Sequence, residues 1–161
     1  MAASRICRGL AAFWIIRGKY MTQEESIEAM VQAVIACLGT PFHHQGRKAG
    51  VGLDCIGLVI IGANAAGIAV RDRRDYGRRP DGVSLVQALK DHGAQEVPDR
   101  NAIRRGDILL FRYDGQPQHV ALALRLDEMI HSFAPAGKVV QSTMGDYWRR
   151  RLVGVYRFTE R

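Results

Sequence analysis

The spacing of apolar residues changes once along the chain, near Pro98, and this change decides the fold class. Before Pro98, apolar side chains recur every three or four residues, which is the spacing of amphipathic helices. After Pro98, they form short runs bounded by turn residues such as Arg105-Gly106-Asp107, a pattern typical of strands. Helices followed by several short strands predict an α+β fold, with N-terminal helices packed on a C-terminal antiparallel β-sheet.

The first two predicted helices both have clear start and stop signals. Thr22 and Glu25 form a capping box for a helix that ends at Gly39. Asp54 is placed to cap a second helix over 55–66, which is apolar on nearly every face. We therefore expect this second helix to be buried.

A third, shorter helix and five strands complete the predicted order. Ser84 and Gln87 form a further capping box for a helix that ends at Gly93. The predicted strands cover residues 108–111, 120–126, 128–133, 139–142 and 152–158.

Length and composition favour one globular domain without cross-links. A chain of 161 residues buries enough surface for a stable core, and 47% apolar with 24% charged residues excludes wholesale disorder. The three cysteines, Cys7, Cys37 and Cys55, are an odd number without a C-x-x-C pair. This argues against a disulfide framework and a zinc site, and we predict no metal or cofactor.

The net charge of +7 is concentrated at the N-terminus. Residues 1–20 contain four of the 23 basic and none of the 16 acidic residues, which leaves +3 for the remainder. Their apolar stretch over 10–16 lacks a small-residue cleavage site after it, and no segment is long enough to cross a bilayer. We predict that residues 1–20 are a basic arm or an extension upstream of a start at Met21, and that residues 21–161 form one domain.

Cys55 stands at the first turn of the buried helix, directly after the Asp54 cap. Only a thiolate attacks carbonyl groups, and a helix N-terminus or a nearby imidazolium can lower the pKa of a thiol. This position therefore favours a nucleophile. The alternative is that Cys55 is a small buried apolar residue.

His119 and His131 lie in two successive predicted strands. They share one face of the sheet if an odd-numbered turn centres the pairing near Arg125, whereas a two-residue turn would place them on opposite faces. On one face, one imidazole can accept the Cys55 proton while the other orients it. Two unrelated strand histidines are the alternative.

Three strings carry a resemblance to a known family: Leu53-Asp54-Cys55-Ile56-Gly57-Leu58-Val59, His119-Val120-Ala121-Leu122 and Met129-Ile130-His131-Ser132. In order and spacing they resemble the NlpC-type cell-wall cysteine peptidases, a papain-like family. The resemblance covers roughly residues 27–158, and Leu38-Gly39-Thr40-Pro41-Phe42 matches the lead-in to the family's site. Residues 44–47 are most similar to the phage cell-wall peptidases, which are encoded among the tail genes of phages and gene transfer agents.

The resemblance implies a role for each site residue. Cys55 would be the nucleophile, with its backbone N–H as one oxyanion donor, and His119 the general base and then acid, oriented by His131. Asp54 would hold a free amine of the substrate as well as capping the helix. Phe42 and Arg47 are expected to contact substrate too. The implied reaction is hydrolysis of a stem-peptide amide bond in peptidoglycan, commonly between D-glutamate and a diamino acid, through a thioester.

Two positions depart from the family pattern. Phe42 stands where a Tyr is usual, and Ile56 stands where a Ser follows the nucleophile. Both changes remove polar groups near the substrate and leave the three proposed catalytic residues intact. His43, His44 and Arg47 are candidates to compensate, but a position in a solvated loop is the favoured interpretation for each of them.

The resulting expectation is a cell-wall peptidase at the tail tip or hub of a phage-like particle. It would be made in the cytoplasm, act in the periplasm and cell wall of the target cell, and bind other tail proteins, with residues 1–20 as a candidate contact. Two alternatives remain open. One is a structural tail protein with weak or lost activity, and the other is an amidase or acyltransferase with the same Cys-His site.

Two runs of arginine raise the question of a polyanion partner. Acidic residues are interleaved in the run over 71–79, and no nucleic-acid motif accompanies it or Arg149-Arg150-Arg151. A solvated face or a protein interface is favoured, and no specific nucleic-acid partner is predicted. Tyr147 and Trp148 beside the second run fit a substrate groove or core packing equally well.

Overall fold

The computed structural model describes residues 21–78 and 81–159, so the predicted arm at residues 1–20 lies outside the described part. The first capping box is confirmed, because the Thr22 hydroxyl accepts the N–H of Glu25 while the Glu25 carboxylate accepts the N–H of Thr22. The α-helices of the described residues are α1 (Gln23–Ile35), α2 (Cys55–Ala65), α3 (Gly82–Asp91) and α4 (Asp146–Arg149).

A six-stranded antiparallel sheet follows the first three helices. Its strands are β3 (Ala94–Glu96), β4 (Ile108–Tyr113), β5 (Gln116–Arg125), β6 (Glu128–Phe133), β7 (Lys138–Thr143) and β8 (Leu152–Phe158). They lie in the order β3-β8-β4-β5-β6-β7. A separate antiparallel ribbon of β1 (Arg47–Lys48) and β2 (Gly52–Leu53) leads directly into α2. The predicted α+β fold is confirmed.

Both faces of the sheet are covered by apolar side chains. In β4, Ile108 and Leu110 belong to the core shared with α1, α2 and α3, whereas Leu109 and Phe111 belong to a second cluster on the other side. Trp148 of α4 is a member of that second cluster. The alternation of strand side chains therefore builds two cores from one sheet.

The hairpin of β5 and β6 corrects one expectation about the two histidines. A two-residue turn joins the paired residues Arg125 and Glu128, and a β-bulge at Leu124 then shifts the register by one residue. A bulge reverses the alternation of side chains beyond it. His119 and His131 therefore share a face although the turn has two residues, and the expectation that such a turn would separate them is wrong.

Two element boundaries also differ from the sequence-based prediction. The N-cap of α3 is Asp81, whose carboxylate accepts the N–H of Ser84 at 2.7 Å, so the capping box predicted to begin at Ser84 is wrong. β5 begins at Gln116 rather than residue 120 because Asp114 and Gly115 form a tight turn, both with positive φ. This tight turn extends the pairing of β4 and β5 beyond the bounds predicted from the sequence.

Candidate active site

Cys55 is the first residue of α2, and Asp54 is its N-cap. The Asp54 carboxylate accepts the N–H of Gly57 at 2.7 Å, which orients the start of the helix. Three backbone N–H groups favour negative charge on the Cys55 sulfur, namely those of Cys55, Ile56 and Val120. Val120 belongs to β5 and follows His119, so the thiol lies against the strand that carries this histidine.

The free thiol is nevertheless held in its protonated form. Burial, together with the nearby Asp54 carboxylate, raises the pKa of Cys55 to about 12, although the three N–H groups act in the opposite direction. The position at a helix N-terminus thus lowers the pKa as expected, but this effect is smaller than the cost of burying a charge.

His119, His131 and Ser142 form a hydrogen-bonded chain. Nε2 of His119 lies 2.7 Å from Nδ1 of His131, and Nε2 of His131 lies 3.0 Å from the Ser142 hydroxyl. If His131 donates to Ser142, its Nδ1 is the acceptor and Nε2 of His119 carries the proton. Nδ1 of His119 is then unprotonated, which is the state required of a general base.

Aromatic rings and burial keep both imidazoles neutral. The His119 ring packs against Phe111 and Trp148 at centroid distances of 6.1 and 5.9 Å, and the His131 ring stacks on Phe133 at 4.9 Å. Burial lowers the pKa of His119 to about 3, helped by the neighbouring imidazole, and burial lowers the pKa of His131 to about 4. Trp148 is thus a core residue that also supports the histidine pair.

Cys55 and His119, the candidate nucleophile and general base, lie close to each other but are not hydrogen-bonded. Among the side-chain hydrogen bonds of residues 21–78 and 81–159, none joins the Cys55 thiol to His119. Catalytic hydrogen bonds often form only when substrate is bound. The arrangement therefore supports proton transfer between two neutral groups during attack rather than a preformed thiolate–imidazolium pair.

The Asp54 carboxylate uses all four of its acceptor positions within the protein. Oδ1 accepts from the Gly57 N–H and from Nη1 of Arg47 at 2.9 Å, and Oδ2 accepts from the Gln45 N–H at 2.8 Å and the Tyr76 hydroxyl at 2.5 Å. A carboxylate offers about four such positions. Binding of a substrate amine by Asp54 stays a prediction, and it requires Arg47 or Tyr76 to move.

Arg47 lies in β1 and is not in a solvated loop, which corrects that interpretation for this residue. Its side chain is 9% exposed and bridges Asp54 to the segment 71–77, through Asp72 at 2.8 Å and the Tyr76 hydroxyl at 2.6 Å. Gln45, which has a positive φ, donates its amide to two carbonyls of the same segment. The arginine-rich segment is therefore anchored to the cap of α2.

Phe42 lies apart from this network. It is partly buried, its N–H donates to the Gly137 carbonyl at 2.8 Å, and it forms a bridge with Leu53. Leu53 ends β2 two residues before Cys55, and its carbonyl accepts the Ser132 hydroxyl. Substrate contact by Phe42 stays a prediction.

Sequence reasoning missed three polar residues around these groups. Ser142 was predicted only as part of the strand over 139–142, and the run over 71–79, which contains Asp72 and Tyr76, was expected to form a solvated face or a protein interface. A weak signal for Ser142 existed, because a strand neighbour of a paired histidine is a natural hydrogen-bond partner. No local pattern indicated that Asp72 and Tyr76 would reach back to Arg47, 25 and 29 residues earlier.

Neither a metal site nor a membrane span is found in the described part of the chain. Residues 21–78 and 81–159 contain no group of three His, Cys, Asp or Glu side chains that could hold a metal ion. None of the described helices is long and apolar enough to cross a membrane.

The sequence profile of the NlpC/P60 family matches residues 39–157, which include Cys55, His119 and His131. The chain belongs to the NlpC/P60 family. The match begins in the lead-in segment before Phe42 and ends within β8, so the NlpC/P60 domain accounts for most of the chain. A comparison with curated protein sequences gave no significant match.

Solved structures share the fold of this NlpC/P60 domain. The peptidoglycan hydrolase RipB from Mycobacterium tuberculosis is 20% identical with a TM-score of 0.66, over 90% of this chain and 72% of RipB. The NlpC/P60 domain of the peptidoglycan hydrolase SagA is 20% identical with a TM-score of 0.60, over 82% of this chain and 98% of that domain. At this identity the similarity establishes the fold.

Two further matches are longer proteins. An NLP/P60-family protein similar to a lipoprotein, from Staphylococcus aureus, is 20% identical with a TM-score of 0.66, over 88% of this chain. An NlpC/P60 protein from Bacillus cereus is 24% identical with a TM-score of 0.63, over 82% of this chain. This chain spans only 44% and 40% of their lengths.

Proposed function

We propose that this NlpC/P60 domain is a cysteine peptidase that hydrolyses an amide bond in the stem peptide of peptidoglycan. The observation that carries the proposal is the His119–His131–Ser142 chain beside a cysteine at a helix N-terminus. It combines a base, an orienting group and a nucleophile in a single site. Membership of a family that includes cell-wall hydrolases supports the choice of substrate.

In the first step the Cys55 sulfur attacks the carbonyl carbon of the scissile amide. The thiol proton passes to Nδ1 of His119 as the S–C bond forms, and the carbonyl oxygen becomes an oxyanion near the Cys55 N–H. His131 accepts the Nε2–H of His119 and stabilises the imidazolium. His119 then protonates the leaving amine as the C–N bond breaks, which leaves a thioester.

In the second step water hydrolyses the thioester. His119 takes a proton from the water as it attacks the thioester carbonyl, and returns the proton to the Cys55 sulfur as the C–S bond breaks. The products are the regenerated thiol and a carboxylic acid, which releases its proton to solvent and becomes a carboxylate.

Purified protein incubated with peptidoglycan tests this proposal. The wild type should release stem-peptide fragments, and Cys55→Ala should lower the release by more than about 10³-fold. Cys37→Ala is a matched control, since Cys37 is a buried thiol in the core that donates to the Ala33 carbonyl. Release by Cys55→Ala at the wild-type rate would exclude the cysteine mechanism.

The masses of the products separate the alternatives. Fragments cut between two amino acids of the stem peptide indicate an endopeptidase, whereas loss of the whole peptide from the sugar indicates an amidase. Transfer of an acyl group to an added amine would indicate an acyltransferase. No reaction with any of these substrates would favour a structural protein that retains the fold.

We further propose that the peptidase acts at the tail tip or hub of a phage-like particle or gene transfer agent. The support is the similarity of residues 44–47 to phage cell-wall peptidases. The protein should be detectable in purified tailed particles and would act in the periplasm and cell wall of the target cell. Deletion of residues 1–20 should reduce its incorporation into particles but leave hydrolysis unchanged. Absence of the full chain from particles would contradict this role.

A further inference from the structure

Tyr113 has a buried hydroxyl without a hydrogen-bond partner. Among the described residues, it is the only buried side-chain oxygen or nitrogen found in that state. A buried donor that lacks a partner costs free energy, and such groups in native proteins call for an explanation. Tyr147 approaches closely enough to raise the pKa of Tyr113, but no hydrogen bond of normal distance and angle joins the two hydroxyls.

The fold places Tyr113 at the histidine pair. It is the last residue of β4, and the tight turn at Asp114 and Gly115 returns the chain to β5, which carries His119. The Tyr113 ring meets the His119 ring edge-on, with centroids 6.2 Å apart. The unpartnered hydroxyl therefore belongs to the proposed active site.

Tyr113 also lines a cleft, although its hydroxyl is buried. The cleft has a volume of about 290 Å³ and is lined by Arg112, Tyr113, Asp114, Gly115, Arg150 and Arg151. The guanidinium of Arg151 packs 3.8 Å from the Tyr147 ring and 5.8 Å from the Tyr113 ring. Three cationic side chains against one carboxylate give this cleft a positive field, which favours a substrate group that becomes negative.

The nucleophile is close enough to interact electrostatically with this phenol. Burial and the neighbouring Tyr147 hydroxyl raise the pKa of Tyr113, and negative charge that develops on Cys55 during the reaction would raise it further. The hydroxyl therefore remains protonated and is a donor throughout the pH range of catalysis. A protonated phenol beside a nucleophilic sulfur is suited to hold a developing oxyanion.

We propose that the Tyr113 hydroxyl donates a hydrogen bond to the reacting carbonyl oxygen and, with the Cys55 N–H, stabilises the oxyanion of each tetrahedral intermediate. This inference rests on the proposed peptidase function. When Sγ bonds to the carbonyl carbon, the C=O electron pair moves to the oxygen, and the thiol proton moves to His119. Substrate thus supplies the partner that the hydroxyl lacks in the free protein. Phe42 has no hydroxyl, so in this proposal the side-chain donor to the oxyanion is Tyr113.

Tyr113→Phe tests the inference, because it removes only the hydroxyl. We expect kcat on peptidoglycan fragments to fall about 10²- to 10³-fold, the effect of losing one oxyanion donor, with KM changed less than about threefold. The melting temperature should stay the same or rise, since the variant loses an unpartnered buried group. The control is Tyr156→Phe, which removes the hydroxyl of another buried tyrosine, in the core that the helices cover, and should keep kcat within about threefold of the wild type.

Four results would contradict the inference. Equal kcat for the wild type and Tyr113→Phe would exclude a role for the hydroxyl but leave the peptidase proposal intact. A fall in melting temperature would reveal a structural partner for the hydroxyl. An equal loss in Tyr156→Phe would show that removing any buried phenol lowers kcat. Absence of any hydrolysis by the wild type would refute the peptidase proposal, and this inference with it.

Discussion

Replacing Arg47 with alanine should destabilise the domain strongly, because Arg47 neutralises the buried cap of α2. Its Nη1 lies 2.9 Å from Oδ1 of Asp54, and the two side chains are only 9% and 5% exposed. The same guanidinium bonds Asp72, the Tyr76 hydroxyl and two backbone carbonyls. Arg47→Ala removes all these donors together.

The magnitude follows from what the substitution leaves behind. The Asp54 carboxylate keeps three of its four hydrogen bonds but loses the cation that offsets its buried charge. Removing one partner of a buried ion pair costs about 3–5 kcal/mol. That is a large share of the roughly 5–15 kcal/mol that stabilises a domain. Adding Asp54→Asn should recover part of the loss, because no buried charge then remains unpaired.

Equilibrium unfolding in urea measures the effect as a fall in midpoint at unchanged slope. Arg74→Ala is the matched control, since Arg74 also pairs with Asp72 but its side chain is 59% exposed. Exposed ion pairs contribute less than about 1 kcal/mol. A loss in Arg47→Ala no larger than that in Arg74→Ala would refute the reasoning, as would a double variant with Asp54→Asn that is less stable than Arg47→Ala alone.

Three further predictions concern the histidine pair and the close packing at α2. Ser142→Ala removes the acceptor of the His131 Nε2–H and should lower kcat about tenfold. Ser142→Thr keeps the hydroxyl, so its kcat should stay near that of the wild type. Equal kcat values for the two variants would contradict the proposed tautomers of the histidine pair. Burial lowers the pKa of both imidazoles, His119 and His131, below the ordinary value near 6.5, so the unfolded chain binds more protons than the folded chain at acid pH. Stability therefore falls from pH 6.5 towards pH 4, by up to about 1.4 kcal/mol per pH unit for each imidazole. Urea midpoints at pH 7.5 and pH 5 measure this effect, and a flat profile would show that the imidazoles are solvated. Gly57→Ala places a methyl group against a main-chain carbonyl oxygen of the preceding ribbon and should cost about 1–3 kcal/mol in urea unfolding, while Gly77→Ala has open space and should cost less than about 1 kcal/mol.

The order and type of the main elements were predictable because their signals are local. Thr22 and Glu25 lie within one turn of each other, so their capping box can be recognised from a segment of four residues. The cap of α2 by Asp54 and the strand over 152–158 were predicted for the same reason. The third cap was misplaced because Asp81 and Ser84 are both good caps, and packing of Gly82 against Pro117 sets where α3 begins.

The shared face of the two histidines was predicted only conditionally. Turn length was the variable considered, but the bulge at Leu124 decides the alternation. A bulge depends on how two strands pack and twist along their whole length, and its sequence signal is weak. The sequence therefore identified His119 and His131 as candidates, while the register brought their nitrogens to 2.7 Å.

The protonation states depended on burial that no local pattern encodes. The helix N-terminus suggested a thiol with a lowered pKa, yet the enclosed sulfur and the carboxylate of Asp54 raise it. Part of this burial comes from residues distant in sequence, because Cys55 packs against the core cluster that includes Leu122 of β5. A sequence motif specifies which groups are present, and the packed core sets the charge that each of them carries.

Local spacing was sufficient to predict the α+β order and the helix that presents Cys55, and the resemblance of three short strings to a known family predicted the family. The anchoring of Arg47 by Asp72 and Tyr76, the role of Ser142 and the unpartnered hydroxyl of Tyr113 became visible only in three dimensions. The periodicity of apolar residues and the capping of helices act over three or four residues and can therefore be recognised in the sequence itself. Hydrogen-bond partners separated by 10 to 30 residues are chosen by the folded backbone, which alone decides which polar groups meet and which are left for a substrate.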